Sequence, residues 1–144
     1  MSKLYYSLGL MSGTSGDGVD ASIIQSDGDT KYKVILNKYF GYNQDIYENI
    51  HNLNEKIKNS RDLKKLLKEI NTLEKKITLF HADIVNQIVK NTKLNIELIG
   101  FHGQTIFHSD EEKISKQLGD GKLLSNLTKK IVVYNFREND LKNG

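Results

Sequence analysis

The chain has 144 residues, with 21 Lys and Arg against 18 Asp and Glu, a net charge of +3 and no cysteine. This length suits one domain with one core, and the lack of cysteine excludes disulfides, thiol catalysis and Cys-ligated zinc. The N-terminus has no signal-peptide pattern, and no apolar run approaches the ~20 residues of a membrane span, so we expect a cytoplasmic protein with no membrane partner. Lysines alternate with acidic residues, so we expect no nucleic-acid partner.

Three strands are predicted in the first forty residues. Apolar residues are enriched over residues 4–11, 19–26 and 31–40, each flanked by turn residues. The turn over residues 26–30 contains an Asp-Gly pair, which is typical of a hairpin. The other turn, residues 11–20, reads MSGTSGDGVD and is far richer in glycine and hydroxyl groups than a hairpin requires.

This glycine-rich turn is the candidate phosphate loop. Its glycines permit positive φ and close approach of backbone N–H groups to a ligand, while its hydroxyls add donors and its carboxylates suit Mg²⁺. We therefore expect it to hold a nucleotide phosphate with its Mg²⁺, and Asp17 to bind the metal. An ordinary polar hairpin is the alternative. The candidate cofactor-binding residues are Ser12, Gly13, Thr14, Ser15, Gly16, Asp17, Gly18, Val19 and Asp20.

The loop matches neither common nucleotide motif. Gly13 and Gly18 have the spacing of a Walker A loop, but Val19 and Asp20 follow where that motif needs Lys and Ser or Thr. The glycines also lack the Gly-x-Gly-x-x-Gly order of a dinucleotide fold, and strand-forming residues follow them. The sequence thus predicts a phosphate loop within a hairpin, rather than one that caps a helix.

Helical periodicity begins after residue 43. Ile46, Ile50, Leu53 and Ile57 form one apolar stripe behind a possible Asn43 cap. A second stripe steps by three or four residues and predicts one long helix over about 61–90, with Ser60 as its N-cap. A coiled coil is the alternative, but the stripe is wide, which favours packing across a sheet.

The last third of the chain returns to strand character. Strands are predicted over residues 96–101, 104–108 and 131–136, with a short helix around 122–128 and a hydrophilic stretch over 109–116. Three strands followed by helix, strand, helix and strand predict an α/β domain with a mixed sheet and packed helices.

Four segments together resemble one family. The segments GLMSGTSGDGVD (9–20), GFHGQTIFH (100–108), QLGD (117–120) and VVYNFR (132–137, with Asp140 after it) are similar, in order, to the signatures of the anhydro-N-acetylmuramic acid kinases. The resemblance implies the N-terminal lobe of an actin-like, sugar kinase and Hsp70 ATPase fold over residues 1–144. Family members are well over twice this length, so we expect the second lobe to be absent.

The resemblance also implies a sugar site built from residues 100–108 and 136–140. His102, Gln104 and Thr105 follow an apolar strand, where an open α/β sheet presents ligand contacts, and their side chains suit sugar hydroxyl and acetamido groups. The planar guanidinium of Arg137 suits a lactyl carboxylate, although a salt bridge to Asp140 or Glu138 is equally open.

The activity that the resemblance implies is ATP-dependent phosphorylation of 1,6-anhydro-N-acetylmuramic acid at O6. Water opens the anhydro ring, which gives N-acetylmuramic acid 6-phosphate, a step of cell-wall recycling and amino sugar catabolism. In the family the catalytic aspartate lies downstream of a position equivalent to Gly144, so we expect no catalytic residue in this chain, and no activity from it alone.

Three origins stay open for such a chain: a fragment, a truncated gene or a degenerate copy. The oligomeric state also stays open, and a homodimer is the assembly that the family resemblance implies. The alternative function is a non-catalytic nucleotide-binding or interaction domain of the actin-like superfold.

Overall fold

The structure is a computed structural model that describes residues 3–135. The elements, in chain order, are β1 (Tyr5–Ser12), β2 (Gly18–Ser26), β3 (Tyr32–Gly41), α1 (Gln44–Lys56), α2 (Ser60–Lys65), α3 (Leu67–Thr92), β4 (Ile96–Phe101), β5 (Gln104–Ser109), β6 (Ile114–Leu118), α4 (Gly121–Thr128) and β7 (Ile131–Val133). No helix in this range is both long enough and apolar enough to cross a membrane. Arg137 and the segment 136–140 lie outside the described residues.

The main sheet has five strands in the order β3-β2-β1-β4-β7. Short turns join β1, β2 and β3, which pair antiparallel, whereas β4 pairs parallel to β1, and β7 parallel to β4. Parallel neighbours need a long crossover, which the helices provide. The predicted α/β class with a mixed sheet is confirmed.

One face of this sheet packs against α3. Side chains alternate along β1 and β2, so that Leu8, Leu10 and Ala21 lie in the core. Val85 and Ile88 of α3 belong to the same cluster. The wide apolar stripe on α3 is therefore explained by packing across a sheet, as the sequence predicts.

A second apolar cluster lies between α1, α3 and the β5–β6 hairpin. Ile50 of α1 and Ile77 of α3 are fully buried there, with Leu118 of β6. The α1 helix begins as predicted, since the Asn43 side chain accepts a hydrogen bond from the Ile46 N–H at 2.9 Å.

The single helix predicted over about 61–90 is wrong at its start. The chain forms two helices, because Leu66 leaves helical geometry with φ −104° and ψ 18°. Asn59, not Ser60, caps α2, in a capping box with Asp62. Leu66 still packs against the second apolar cluster, so the apolar spacing continues through the break and hides it in the sequence.

The polar stretch over residues 109–116 contains part of a strand that the sequence does not predict. It forms the turn of the β5–β6 hairpin and the start of β6, which pairs antiparallel with β5 in a separate two-stranded sheet. Only Leu118 of β6 is fully buried, so apolar alternation is too weak to mark this strand.

His81 is a buried histidine on α3. Its Nδ1–H donates to the Ile77 carbonyl oxygen at 2.7 Å, its ring lies 4.8 Å from the Phe101 ring, and its Nε2 has no hydrogen-bond partner among residues 3–135. Burial lowers the pKa of His81 to about 4, and the bond to Ile77 offsets part of that effect. The imidazole is therefore neutral at physiological pH.

We expect His81 to make the protein less stable in mild acid. Its pKa is about 6.5 when unfolded and about 4 when folded, so the unfolded chain binds more protons between those values. Stability is full above pH 6.5 and falls as the pH approaches 4, by about 2 kcal/mol at pH 5. Urea unfolding at pH 7.5 and pH 5 measures this difference.

The control for that measurement is His81→Leu, which removes the titrating group but keeps an apolar side chain in the core. It should reduce the pH dependence by the amount assigned to His81. An unchanged difference between the two pH values in this variant would show that other groups cause it.

Candidate functional site

The carboxyl ends of β1 and β4 lie side by side at one edge of the main sheet. Leu10 pairs with Phe101, and the His102 N–H donates to the Leu10 carbonyl oxygen at 3.3 Å. Ligands of open α/β sheets bind beyond such strand ends. The pairing therefore brings the candidate phosphate loop, after β1, next to the candidate sugar segment, after β4.

The loop itself is a tight turn over residues 13–17. The Gly16 N–H donates to the Gly13 carbonyl oxygen at 3.2 Å, and Gly16 has φ +70°. Of the three loop glycines, all within the described range, Gly16 is the one with positive φ. Gly18 is needed for another reason, because a Cβ there would collide with the Phe40 carbonyl oxygen and the Tyr39 ring.

Gly13 is different from the other two glycines. A Cβ at Gly13 would meet nothing closer than the Ser15 Oγ at 3.7 Å, so the fold alone does not require glycine there. The side of Gly13 that a Cβ would occupy is open. This open side leaves room for a ligand to approach the backbone.

The nine candidate cofactor-binding residues divide into two groups. Ser12, Gly16, Gly18 and Val19 are buried, and Val19 is in the core, so it can offer a ligand no more than its backbone. The other five are exposed: Gly13, Thr14, Ser15, Asp17 and Asp20. The loop thus presents two hydroxyls and two carboxylates to solvent.

A chain of hydrogen bonds lies directly beneath the loop. The Tyr42 hydroxyl is 3.1 Å from the Ser12 Oγ and donates to the Gln104 Oε1 at 3.1 Å. The Gln104 Nε2 donates to the Gly13 carbonyl oxygen at 2.9 Å and to the Thr105 carbonyl oxygen at 3.2 Å. Gln104 is fully buried, so its amide is occupied inside the protein and does not face the surface.

Tyr42 belongs to the candidate site, although the sequence does not predict it. It follows β3, and its backbone N–H donates to the Asp17 carbonyl oxygen at 2.9 Å, so it also contacts the far end of the loop. Burial raises the pKa of Tyr42 to about 12, while the hydrogen bond with Ser12 opposes that rise. Tyr42 is therefore a neutral phenol, and its hydroxyl proton is available for the hydrogen bond to the Gln104 Oε1. No feature of the sequence pattern separates it from other tyrosines.

The predicted sugar contacts lie around a small cleft. His102, half-buried, lines it with Phe101, Gly103, Gln117 and Gly119, and the cleft holds about 90 Å³. The other lining residues are Glu74, Ser115, Lys116, Tyr134 and Asn135. The structure thus places His102 where a ligand can reach it.

Neighbouring side chains hold the walls of this cleft. The Glu74 carboxylate accepts a hydrogen bond from the Gly119 N–H at 3.1 Å. Thr105 lies beside the cleft, where its Oγ1 accepts from the Gln117 Nε2 at 3.1 Å. Asp120 caps α4 through the Leu123 N–H at 3.0 Å, which gives it a structural role.

The structure contains no preformed metal cage in the described part of the chain. Among residues 3–135, no three His, Asp or Glu side chains lie close enough together to hold a metal ion. Asp17 is a single exposed carboxylate at the loop. That arrangement fits a cation whose other ligands come from a bound phosphate group and water, which is how Mg²⁺ is usually held with nucleotides.

Comparison with known proteins agrees with these features. A family model described as anhydro-N-acetylmuramic acid kinase matches residues 5–144. The chain belongs to the anhydro-N-acetylmuramic acid kinase family. This family has the sugar kinase and actin-like ATPase fold, of which the five-stranded mixed sheet with packed helices is a part.

Several relatives carry the name anhydro-N-acetylmuramic acid kinase. The protein from Pelagibacter ubique is 61% identical over 144 residues, which are 100% of this chain and 38% of that protein. The Gluconobacter oxydans protein is 37% identical over 142 residues (98% and 38%), and the Agrobacterium fabrum protein 33% over 147 residues (100% and 39%). The chain therefore spans less than half the length of these kinases.

We expect Gly18→Ala to destabilise the fold and Gly13→Ala to leave stability unchanged. The new Cβ at Gly18 would press on the Phe40 backbone, and such overpacking costs about 1–3 kcal/mol. Urea unfolding of the two variants measures this. Equal unfolding free energies for both variants would show that Gly18 is not constrained by its neighbours.

Proposed function

We propose that this chain supplies the phosphate loop and part of the sugar site of an anhydro-N-acetylmuramic acid kinase. The reaction transfers the γ-phosphoryl group of ATP to O6 of 1,6-anhydro-N-acetylmuramic acid while water opens the anhydro ring. Family membership supports this, and one observation carries it: Gln104 bonds to Gly13, which joins the loop after β1 to the strand end after β4. ATP as donor and an amino sugar as acceptor would place the reaction in the cytoplasm.

The loop is the part that would hold the triphosphate. Thr14 and Ser15 are exposed, and their hydroxyls and backbone N–H groups are of the kind that donates to phosphate oxygens. Asp17 would hold Mg²⁺, directly or through water. When bound, Mg²⁺ neutralises charge on the phosphates, which a phosphoryl transfer requires.

The cleft beside the loop is the part that would hold the sugar. His102 lines it, and Thr105 stands next to it with its hydroxyl engaged by Gln117. Arg137, which falls beyond the described range, remains our proposal for the lactyl carboxylate. Gln104 is buried with both ends of its amide engaged, so we propose that it supports the site without touching the sugar. In this proposal, residues 1–144 act as one lobe.

The proposal can be tested by joining this chain to the C-terminal part of the Pelagibacter ubique relative, which is 61% identical over the matched region. We expect the joined protein to consume 1,6-anhydro-N-acetylmuramic acid and Mg·ATP in a one-to-one ratio, as measured by ADP release and by mass spectrometry of the sugar. The complete relative is the positive control. ATP hydrolysis that does not depend on the sugar, or no turnover in a folded protein, would contradict the proposal.

In the same joined protein, we expect Asp17→Asn to raise the Mg²⁺ concentration needed for half-maximal rate. The substitution keeps the side chain's shape but removes its charge, so attraction for the cation falls by about 1 kcal/mol, or about fivefold in affinity, at an exposed site. Asp29→Asn, in the turn between β2 and β3 at the far end of those strands, makes the same charge change and should leave the Mg²⁺ dependence unchanged. If Asp17→Asn needs the same Mg²⁺ concentration as the parent, Asp17 does not bind the metal and has only a structural role in the turn.

A further inference from the structure

Both ends of the phosphate loop are attached to a single residue. The Tyr42 N–H donates to the Asp17 carbonyl oxygen at the end of the loop, and the Tyr42 hydroxyl contacts Ser12 at its start. The Tyr42 ring packs against the ring of Phe80 on α3, with 5.1 Å between the two centroids, which holds Tyr42 against that helix. The position of the loop therefore depends on where Tyr42 lies.

Gln104 extends this attachment to the neighbouring strand end. It accepts a hydrogen bond from Tyr42 and donates to the carbonyl oxygens of Gly13 and Thr105. Because Gln104 is fully buried, water cannot replace these partners. One side chain thus connects the loop with β5, two residues beyond His102.

The bond to the Gly13 carbonyl also sets the direction of the next N–H group. A trans peptide unit is planar, and its C=O and N–H point in opposite directions. There is no cis peptide among the described residues. The Gly13 carbonyl oxygen accepts from the Gln104 Nε2 and from the Gly16 N–H of the turn, so the N–H of Thr14 points away from the buried network.

We propose that Tyr42 and Gln104 are positioning residues for the phosphate loop, and that they act by aiming the Thr14 N–H at the nucleotide phosphate. This inference rests on the proposed function, and it adds the residues that hold the loop in its binding conformation. Neither residue touches the nucleotide or the sugar. Gln104 also makes the loop and the sugar-side strand end move as one unit.

The chain contains a matched pair that serves as a control. Tyr6 and Gln25 also form a Tyr–Gln hydrogen bond, with the Gln25 Nε2 donating to the Tyr6 hydroxyl at 3.0 Å. They face each other across β1 and β2 in the same sheet, at the end of the strands opposite the loop. Removing the Tyr6 hydroxyl also deletes a Tyr–Gln hydrogen bond, in which tyrosine is the acceptor, at the end of the sheet away from the loop.

The kinetic test uses Tyr42→Phe, Gln104→Leu and the control Tyr6→Phe in the joined protein. We expect Tyr42→Phe to raise KM for Mg·ATP about threefold to tenfold, the worth of one hydrogen bond, with KM for the sugar unchanged. Gln104→Leu should raise KM for Mg·ATP at least as much. Because the two residues share one network, the double variant should raise KM by less than the product of the two single effects. Tyr6→Phe should change neither KM.

A second measurement decides the inference even if the joined protein has no kinase activity, an outcome that would count against the proposed function alone. In the ¹⁵N-labelled 144-residue chain, Tyr42→Phe and Gln104→Leu should shift the Thr14 amide resonance, whereas Tyr6→Phe should not. An unmoved Thr14 resonance in both loop variants would overturn the inference. The inference would also be overturned if both loop variants kept the parent's KM for Mg·ATP and lost activity only in proportion to a smaller fraction of folded protein.

Discussion

Backbone hydrogen bonds between β1 and β4 hold together two segments that are far apart in the chain. Leu10 lies opposite Phe101, and the pairing continues through the His102 N–H. Parallel strands can be joined only by a long crossover, and α1, α2 and α3 all lie within it. Gln104 can reach Gly13, 91 residues earlier, because this pairing aligns the two strand ends. The cleft at His102 and the loop at Gly13 are neighbours for the same reason.

Polar groups inside such a packed layer must find partners, and this chain meets that demand in two ways. Ser12, Tyr42 and Gln104 satisfy one another and the loop backbone, so their burial gives a fixed geometry at little cost. His81 satisfies only one ring nitrogen within the described residues and remains neutral instead. The first arrangement fixes the loop backbone, whereas we expect the second to make folding sensitive to acid.

Sequence periodicity could predict the elements that bury one regular face. The strands β1, β2 and β4 and the helix α1 follow from alternation or from a single stripe. Periodicity could not predict the break between α2 and α3, because the apolar spacing continues through Leu66. It could not predict β6 either, because apolar alternation along that strand is too weak. The role of Tyr42 could not be predicted from the sequence, because its partners Ser12 and Gln104 are 30 and 62 residues away in the chain and no local pattern encodes them. Gln104 follows a strand end, which suggested a ligand contact, but its side chain is directed inward.

The inner attachments of the loop explain why its outer surface is suited to an anion. Gly13 and Asp17 use their carbonyl oxygens inward, on Gln104 and Tyr42, so negative ends of the peptide dipoles are turned away from the exposed side. Thr14 and Ser15 are exposed on that side, and the Thr14 N–H points opposite to the inward Gly13 carbonyl of the same peptide unit. The hydrogen bonds to Gly13 and Asp17 restrict the loop backbone, and a restricted loop loses less conformational entropy when a ligand binds. The buried network, more than the glycine content of the loop, therefore sets which backbone and side-chain groups this hairpin presents to solvent.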